Sequence, residues 1–178
     1  IYGDLVNDCD AQLEGAVFEW EAGDLGAFDS SKIQAGQVVV LEQAGGEESS
    51  YTMLSWNGVN QIDDQSKFEL ATTYYFFGDL TPDGGSQFLN TSNHRTGSEF
   101  TSDFGILETM AAYHFDDYVF TGEYIKNFRA ADGVGDNGWA LGALMKTKHG
   151  KFYYQYQVLE QDAVHAYFAQ DDFLYPTN

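Results

Sequence analysis

The sequence of 178 residues has one cysteine, two prolines and only eight basic residues. A lone Cys9 excludes an internal disulfide, and with it both a disulfide-stapled scaffold and a cysteine-rich zinc site. Eight basic residues against 28 acidic ones leave a formal net charge of −20, the wrong sign for binding a nucleic-acid backbone. Long hydrophobic runs are missing too. The longest, such as Val38 to Leu41 and Tyr74 to Phe77, span about four residues, whereas a membrane-spanning helix needs about 20. Gly-x-Ser-x-Gly, phosphate-loop and dinucleotide fingerprints are all absent, which removes the commonest hydrolase and nucleotide readings. The sequence opens at Ile1 with neither Met nor a basic segment leading into an apolar stretch, so any export signal is expected to lie outside it.

What is present is aromatic and glycine-rich: 14 Phe, 12 Tyr and 3 Trp, 16% of the chain, together with 19 Gly. With 43% apolar residues the chain can form a core, and this composition favours antiparallel sheet with many turns over disorder. Period-two alternation marks about nine candidate strands. They are Gln12 to Trp20, Ile33 to Gln43, Tyr51 to Asn57, Lys67 to Phe77, Phe104 to Phe115, Tyr118 to Asn127, Asp136 to Lys148, Lys151 to Glu160 and Ala163 to Phe168. Short turns at Asp116-Asp117 and His149-Gly150 alternate with longer loops at Asp79 to Ser102 and Arg129 to Asn137. A soluble sandwich has no reason for that asymmetry, whereas an outer-membrane barrel has short turns at one rim and longer loops at the other.

The faces of individual strands fit two architectures. Lys151 to Glu160 sets Phe152, Tyr154, Tyr156 and Val158 on one side against Tyr153, Gln155 and Gln157 on the other. Tyr118 to Asn127 sets Tyr118, Phe120, Gly122 and Tyr124 against Val119, Thr121, Glu123, Ile125 and Asn127. In a soluble sandwich the aromatic side faces inward. In a membrane barrel it faces lipid, and Lys126, at the end of that aromatic side, snorkels to the interface. Tyr113, Tyr118, Tyr124 and Tyr153, near strand ends, suit an interfacial girdle.

The C-terminal part adds a resemblance. Gly122-Glu123-Tyr124-Ile125-Lys126-Asn127 is followed by Asp136-Asn137-Gly138-Trp139-Ala140-Leu141-Gly142, then by the Tyr-rich Phe152 to Val158, a Leu159-Glu160-Gln161-Asp162-Ala163 turn and Asp171-Asp172-Phe173. In this order the segments resemble a porin family of bacterial outer-membrane β-barrels, over roughly residues 104 to 173. Residues 1 to 66 are similar only in texture. The resemblance implies an all-β, antiparallel up-and-down transmembrane β-barrel. It implies a channel for passive diffusion, bacterial outer-membrane lipid as surroundings, small polar solutes or ions as cargo, and a homotrimer. An aqueous channel takes about 16 strands, so residues 1 to 178 are expected to form a single barrel domain that is an incomplete segment of a longer chain.

No catalytic residues and no cofactor are expected. Carboxylate doublets at Asp63-Asp64, Asp116-Asp117 and Asp171-Asp172 fall in turns and read as solvated loop charge rather than an acid/base pair. Asp132 to Gly138 has the oxygen-rich, glycine-kinked look of a calcium loop, with Asp132 and Asp136 as ligands, but lacks the spacing and the bidentate Glu of an EF-hand, so a surface loop is expected. His94, His114, His149 and His165 are too widely separated for a zinc pattern. Under the barrel reading the working residues are the pore-lining Glu108, Glu123, Gln155 and Gln157, whose carboxylates favour cations or neutral polar solutes. The competing expectation is a soluble all-β carbohydrate-binding module stacking sugars on Trp20, Trp56 and Trp139. The two differ in where the aromatic faces point.

Overall fold

The computed structural model describes residues 14–41, 49–78, 80, 93–97 and 99–166. Within them lie ten strands: β1 (Glu14–Glu21), β2 (Ser30–Leu41), β3 (Ser49–Gln61), β4 (Ser66–Gly78), β5 (Arg95–Thr96), β6 (Glu99–Phe100), β7 (Gly105–Phe115), β8 (Tyr118–Asn127), β9 (Asn137–Thr147) and β10 (Gly150–Leu159). Eight form one sheet in the order β1-β2-β3-β4-β7-β8-β9-β10, each antiparallel to its neighbour, and β5 and β6 pair separately. The main sheet is an up-and-down meander in which every strand pairs with the next main-sheet strand in sequence. It is open, with β1 and β10 at its edges.

Turn chemistry fixes the register at one rim. Between β7 and β8, Asp116 adopts φ of 50°, a left-handed conformation that Asp tolerates better than most residues. The amide of Asp116 donates to the Gln65 carbonyl at 2.9 Å, and the Lys146 amide donates to the Asp117 carbonyl at 2.8 Å, so three successive turns are tied side by side. In the β3–β4 turn the Gln65 amide donates to Asp63 Oδ1 at 2.9 Å, which with the Ser66 hydroxyl holds the exposed Asp63 carboxyl below its ordinary value. The other rim carries the longer connections, including residues 79 to 104 between β4 and β7 and 128 to 136 between β8 and β9. The expected alternation of short and long connections is therefore present from β3 onward, whereas the β1–β2 connection, residues 22–29, is longer than the β2–β3 connection, residues 42–48.

The candidate strand from Ala163 to Phe168 is a correction: Ala163 to Ala166 form turn and bend, and Tyr167 and Phe168 lie outside the described residues. The physical reason is local. Asn93 Nδ2 donates to the Gln161 and Val164 carbonyls at 2.8 and 2.7 Å, and the Ala166 amide donates to Asn93 Oδ1 at 2.8 Å, so a side chain takes the backbone groups a sheet ladder would use. Ala163, Val164 and His165 are all buried as a consequence, instead of alternating.

The core lies at the long-loop rim. Val38, Tyr51, Tyr75, Phe77, Ile106, Ile125 and Ala140 from the strands pack with Phe104, Ala163 and Val164 from the connections. Tyr51 meets Tyr75 and Phe77 at centroid distances of 5.8 and 5.2 Å, and Phe77 meets Phe104 at 6.4 Å, contacts of about 0.5–1.5 kcal/mol each beyond their area. A smaller cluster of Ala112, Val119 and Leu144 lies toward the short-turn rim.

Candidate functional site

Register places every strand residue on one of two faces, since side chains alternate and cross-strand partners share a side. On β8 one face carries Val119, Thr121, Glu123, Ile125 and Asn127, and the other Tyr118, Phe120, Gly122, Tyr124 and Lys126. Following the pairings outward, fifteen of the twenty exposed large hydrophobic side chains stand on the second face, which is therefore the aromatic one. They run from Phe18 and Trp20 on β1 through Leu54, Phe76, Phe120 and Leu141 to Tyr154 on β10. Only two charged residues of the main sheet share that face, Glu14 and Lys126, both at strand ends. Lys126 Nζ donates to Asp136 Oδ2 at 2.5 Å, so its charge is directed to the rim. Among the described residues no second sheet covers the aromatic face.

The opposite face is polar, and all other charged residues of the main sheet stand on it. At mid-strand, Ser55 and Thr73 hydroxyls are 2.8 Å apart, and Tyr75 Oη donates to Glu108 Oε2 at 3.4 Å, with Glu108 only 1% exposed. Glu123 lies diagonally across from Glu108, since Met110 pairs with Glu123 and Glu108 with Ile125. Gln157 lies beyond the small Ala140 that separates it from Glu123. Gln155 Nε2 donates to Gln157 Oε1 at 2.6 Å, and Tyr153 hydrogen-bonds to Gln155. Strand β9 makes room for this belt with Gly138, Ala140 and Gly142 on the polar face. A Cβ on Gly142 would lie 2.4 Å from Thr121 Oγ1 and 3.2 Å from the Tyr153 hydroxyl, so glycine there admits both polar groups.

Toward the short-turn rim the same face becomes ionic. Lys32 pairs with Glu19 and Glu21 at 3.1 and 3.4 Å, Gln34 Nε2 donates to Glu19 Oε2 at 2.8 Å, and Glu69 meets Lys67 and, at 3.3 Å, His114. Toward the long-loop rim it is closed by a hydrogen-bonded cap. The wholly buried Asp162 accepts the His94 amide at 2.9 Å and the Ser102 hydroxyl at 2.5 Å. Asn127 Nδ2 donates to the Asp103 and Asp162 carbonyls, both at 2.9 Å, and its Oδ1 accepts the Gly105 and Arg129 amides, both at 3.0 Å. Arg129 binds Asp103 at 2.6 Å and lies 4.8 Å over the Phe76 ring. His165 is enclosed by Phe100, Phe104 and Phe77 at centroid distances of 4.9, 5.0 and 6.3 Å, and burial holds its pKa down to about 3.

All four expected pore-lining residues, Glu108, Glu123, Gln155 and Gln157, therefore share the polar face. Tyr113, Tyr118 and Tyr124 share the aromatic face, while Tyr153 lies on the polar side with Gln155 and Gln157, where the alternation of Lys151 to Glu160 puts it. His114, on β7, lies half-buried against Glu69. Of the calcium candidates, Asp132 is exposed and Asp136 is engaged by Lys126 and Asn137, and among the described residues no three His, Cys, Asp or Glu side chains gather as a metal site. Asp63, Asp64, Asp116 and Asp117 are exposed in turns, and Asp171-Asp172 lies outside the described residues. Trp20 and Trp139 are exposed, while Trp56 meets Phe28 edge-on at 4.9 Å. The cap residues Asn93, Ser102, Asn127 and Asp162 were not expected to act together; their signal was the Leu-Glu-x-Asp-Ala turn that contains Asp162.

In comparisons with protein-family models, curated proteins and solved structures, nothing matches this chain. The geometry of the two faces is what the functional reading rests on.

Proposed function

We propose that the eight-stranded sheet is an arc of an outer-membrane β-barrel whose polar face lines a channel for passive diffusion of small polar solutes or ions, cations preferred. The observation that carries this is the open aromatic face, uncharged except at strand ends. Fifteen large, partly exposed side chains amount to on the order of 1,000 Å², beyond the roughly 300–600 Å² of the largest patch on a soluble monomer. Seven main-sheet strands have 10 to 13 residues, and a tilted strand needs about 9–11 to cross the hydrocarbon. Backbone groups cannot stay unpaired in lipid, so this reading calls for further strands against β1 and β10 to close the wall. Glu108 and Glu123 on the polar face supply the negative potential that favours cations.

The test is reconstitution of the purified protein in planar bilayers with asymmetric KCl. Discrete conductance steps with a cation-selective reversal potential are expected. Anion preference would sink the selectivity, and a protein that stays in the aqueous phase without conductance would sink the channel. In that case the exposed Trp139, 5.5 Å from Tyr156, makes polysaccharide affinity the next measurement.

A further inference from the structure

The pattern of the main sheet breaks at its two edges. Among the described residues nothing pairs with the outer side of β1 or of β10, and an unpaired row of backbone amides and carbonyls cannot remain in lipid. Among the described side chains, no large hydrophobic residue on the polar face of the inner strands is exposed, yet Val17 on β1 is 51% exposed and Tyr153 on β10 is 38% exposed on that same face. Charge is unbalanced at the same two places. On β1, Glu19 and Glu21 share the single ammonium of Lys32, which leaves that edge acidic. On β10, Lys151 faces Lys146 across the ladder, and neither makes an ion pair among the described residues, which leaves that edge basic. Like charges directly opposite destabilise a ladder, so the basic edge gains from a carboxylate beside it. All of these charges stand on the polar face, toward the short-turn rim.

The two edges fit each other. Strand β1 runs toward the short-turn rim and β10 away from it, so with like rims and like faces aligned they meet antiparallel, the sense of every other pairing in the sheet. One register serves both faces: Lys151 opposite Glu19 and Tyr153 opposite Val17 on the polar side, Phe152 opposite Phe18 on the aromatic side. The ladder row through Glu19 crosses the sheet to Leu159, eight residues from Lys151, so this register staggers the wall by one residue per strand. At about 3.4 Å per residue and about 4.8 Å between strands, that is a tilt of roughly 35°, as in closed barrels. Resting on the membrane reading above, we propose that both edges are covered by a second copy of this chain, joined β10 to β1 at two seams to close one wall. A barrel of about eight strands fills its interior with side chains, whereas about 16 leave an aqueous path, so two copies of the eight-stranded arc are what a channel requires. A head-to-tail contact of this kind forms a closed ring when its rotation closes, here after two copies.

The test is to refold the full chain into phosphatidylcholine vesicles, separate inserted from free protein by flotation, extract the inserted fraction in mild detergent and weigh it by native mass spectrometry. Wild type is expected as two chains. Lys151→Glu and Glu19→Lys each set like charges at both seams and should lower the two-chain fraction roughly tenfold at low salt. Neither should disturb the chain's own fold, since the first gives Lys146 an opposite charge to face and the second leaves Lys32 paired with Glu21. An equal mixture of the two variants should restore assembly, as particles with one chain of each, because every seam then joins a lysine to a glutamate. In a Cys9→Ser background, Val17→Cys mixed with Tyr153→Cys should form a disulfide between chains on oxidation. Inserted protein of any other copy number, a mixture that assembles no better than either variant alone, or cysteines that fail to link would overturn the two-copy wall and leave the membrane reading intact. A chain that remains outside the vesicles would overturn the membrane reading, and the wall with it.

Discussion

The two faces of one strand differ in what surrounds them, and β8 illustrates it in ten residues. Tyr118, Phe120 and Tyr124 are large, apolar and exposed, whereas Val119, Ile125 and Asn127 on the other side are smaller or polar, and buried. A soluble sheet reverses this, with aromatics inward and polar groups outward. The comparison teaches that the core here is not made by the most hydrophobic face. It is made by the loops of one rim folding onto the end of the polar face, and the aromatic face is left exposed. The polar face is therefore stabilised by specific contacts among named groups, the aromatic face by its surroundings, and the two should respond differently to perturbation.

The largest expected effect falls on the cap of the polar face. His165 is 1% exposed among three Phe rings, and its pKa of about 3 lies below the ordinary value of 6.5. The folded state thus disfavours the proton that the unfolded chain accepts. Stability is fully present above about pH 6.5 and is lost progressively as pH falls toward 3, by roughly 5 kcal/mol over the whole interval. Urea unfolding between those pH values should show this slope, and His165→Phe should flatten it relative to wild type. An unchanged slope would show that the aromatic enclosure of His165 does not govern the acid response.

The next effect separates the faces directly. Leu141→Arg places a charge in the middle of the aromatic face, and in a bilayer this costs about 2–4 kcal/mol near the midplane. Gln155→Arg places the same charge on the polar face one strand away, where the membrane reading predicts little change in folding. Unfolding from vesicles by urea, followed by tryptophan fluorescence, compares the two. If both variants are equally stable, the aromatic face is not in lipid. A third, smaller effect tests the cap itself: Asn127→Ala removes four hydrogen bonds to buried or partly buried backbone groups and should cost about 1–3 kcal/mol. Exchange protection should then fall first at Gly105 and Arg129, whose amides lose their acceptor.

Much of the sheet was legible because alternation is a local signal. The bounds of β8 match the expected Tyr118 to Asn127, and the alternation of the expected strand Lys67 to Phe77 puts Phe68, Leu70, Tyr74 and Phe76 on one face of β4. Strand β3 runs past Asn57 to Gln61 because Gly58, which interrupts the pattern, is the position where the Phe28 ring comes closest: a Cβ there would lie 2.6 Å from it. That contact joins residues 30 apart and leaves no local trace. The cap was illegible for the same reason. Asn93 and Ser102 look like ordinary loop residues, Asn127 like the end of a strand and Asp162 like part of a turn, and only folding brings them within hydrogen-bonding distance. Ala163 to Ala166 was misread as strand because its apolar residues satisfy the pattern, while the Asn93 side chain that takes its backbone groups lies about 70 residues away. The four expected pore-lining residues were brought to one face by alternation and pairing alone.

The smallest expected effect sharpens the comparison at the level of function. Glu108 is buried and accepts from Tyr75, while Glu123 is half-buried and lies diagonally across from it on the same face. If that face borders the ion path, Glu123→Gln should shift the reversal potential toward zero with little change in conductance or stability, because it removes charge without changing shape. Glu108→Gln should shift it less, since a carboxylate withdrawn from solvent acts on a passing ion chiefly through its field. The paired variant should exceed either alone. Selectivity that ignores Glu123 would place the cation-attracting charge in the acidic loops at the rims instead, leaving the polar face as a neutral wall.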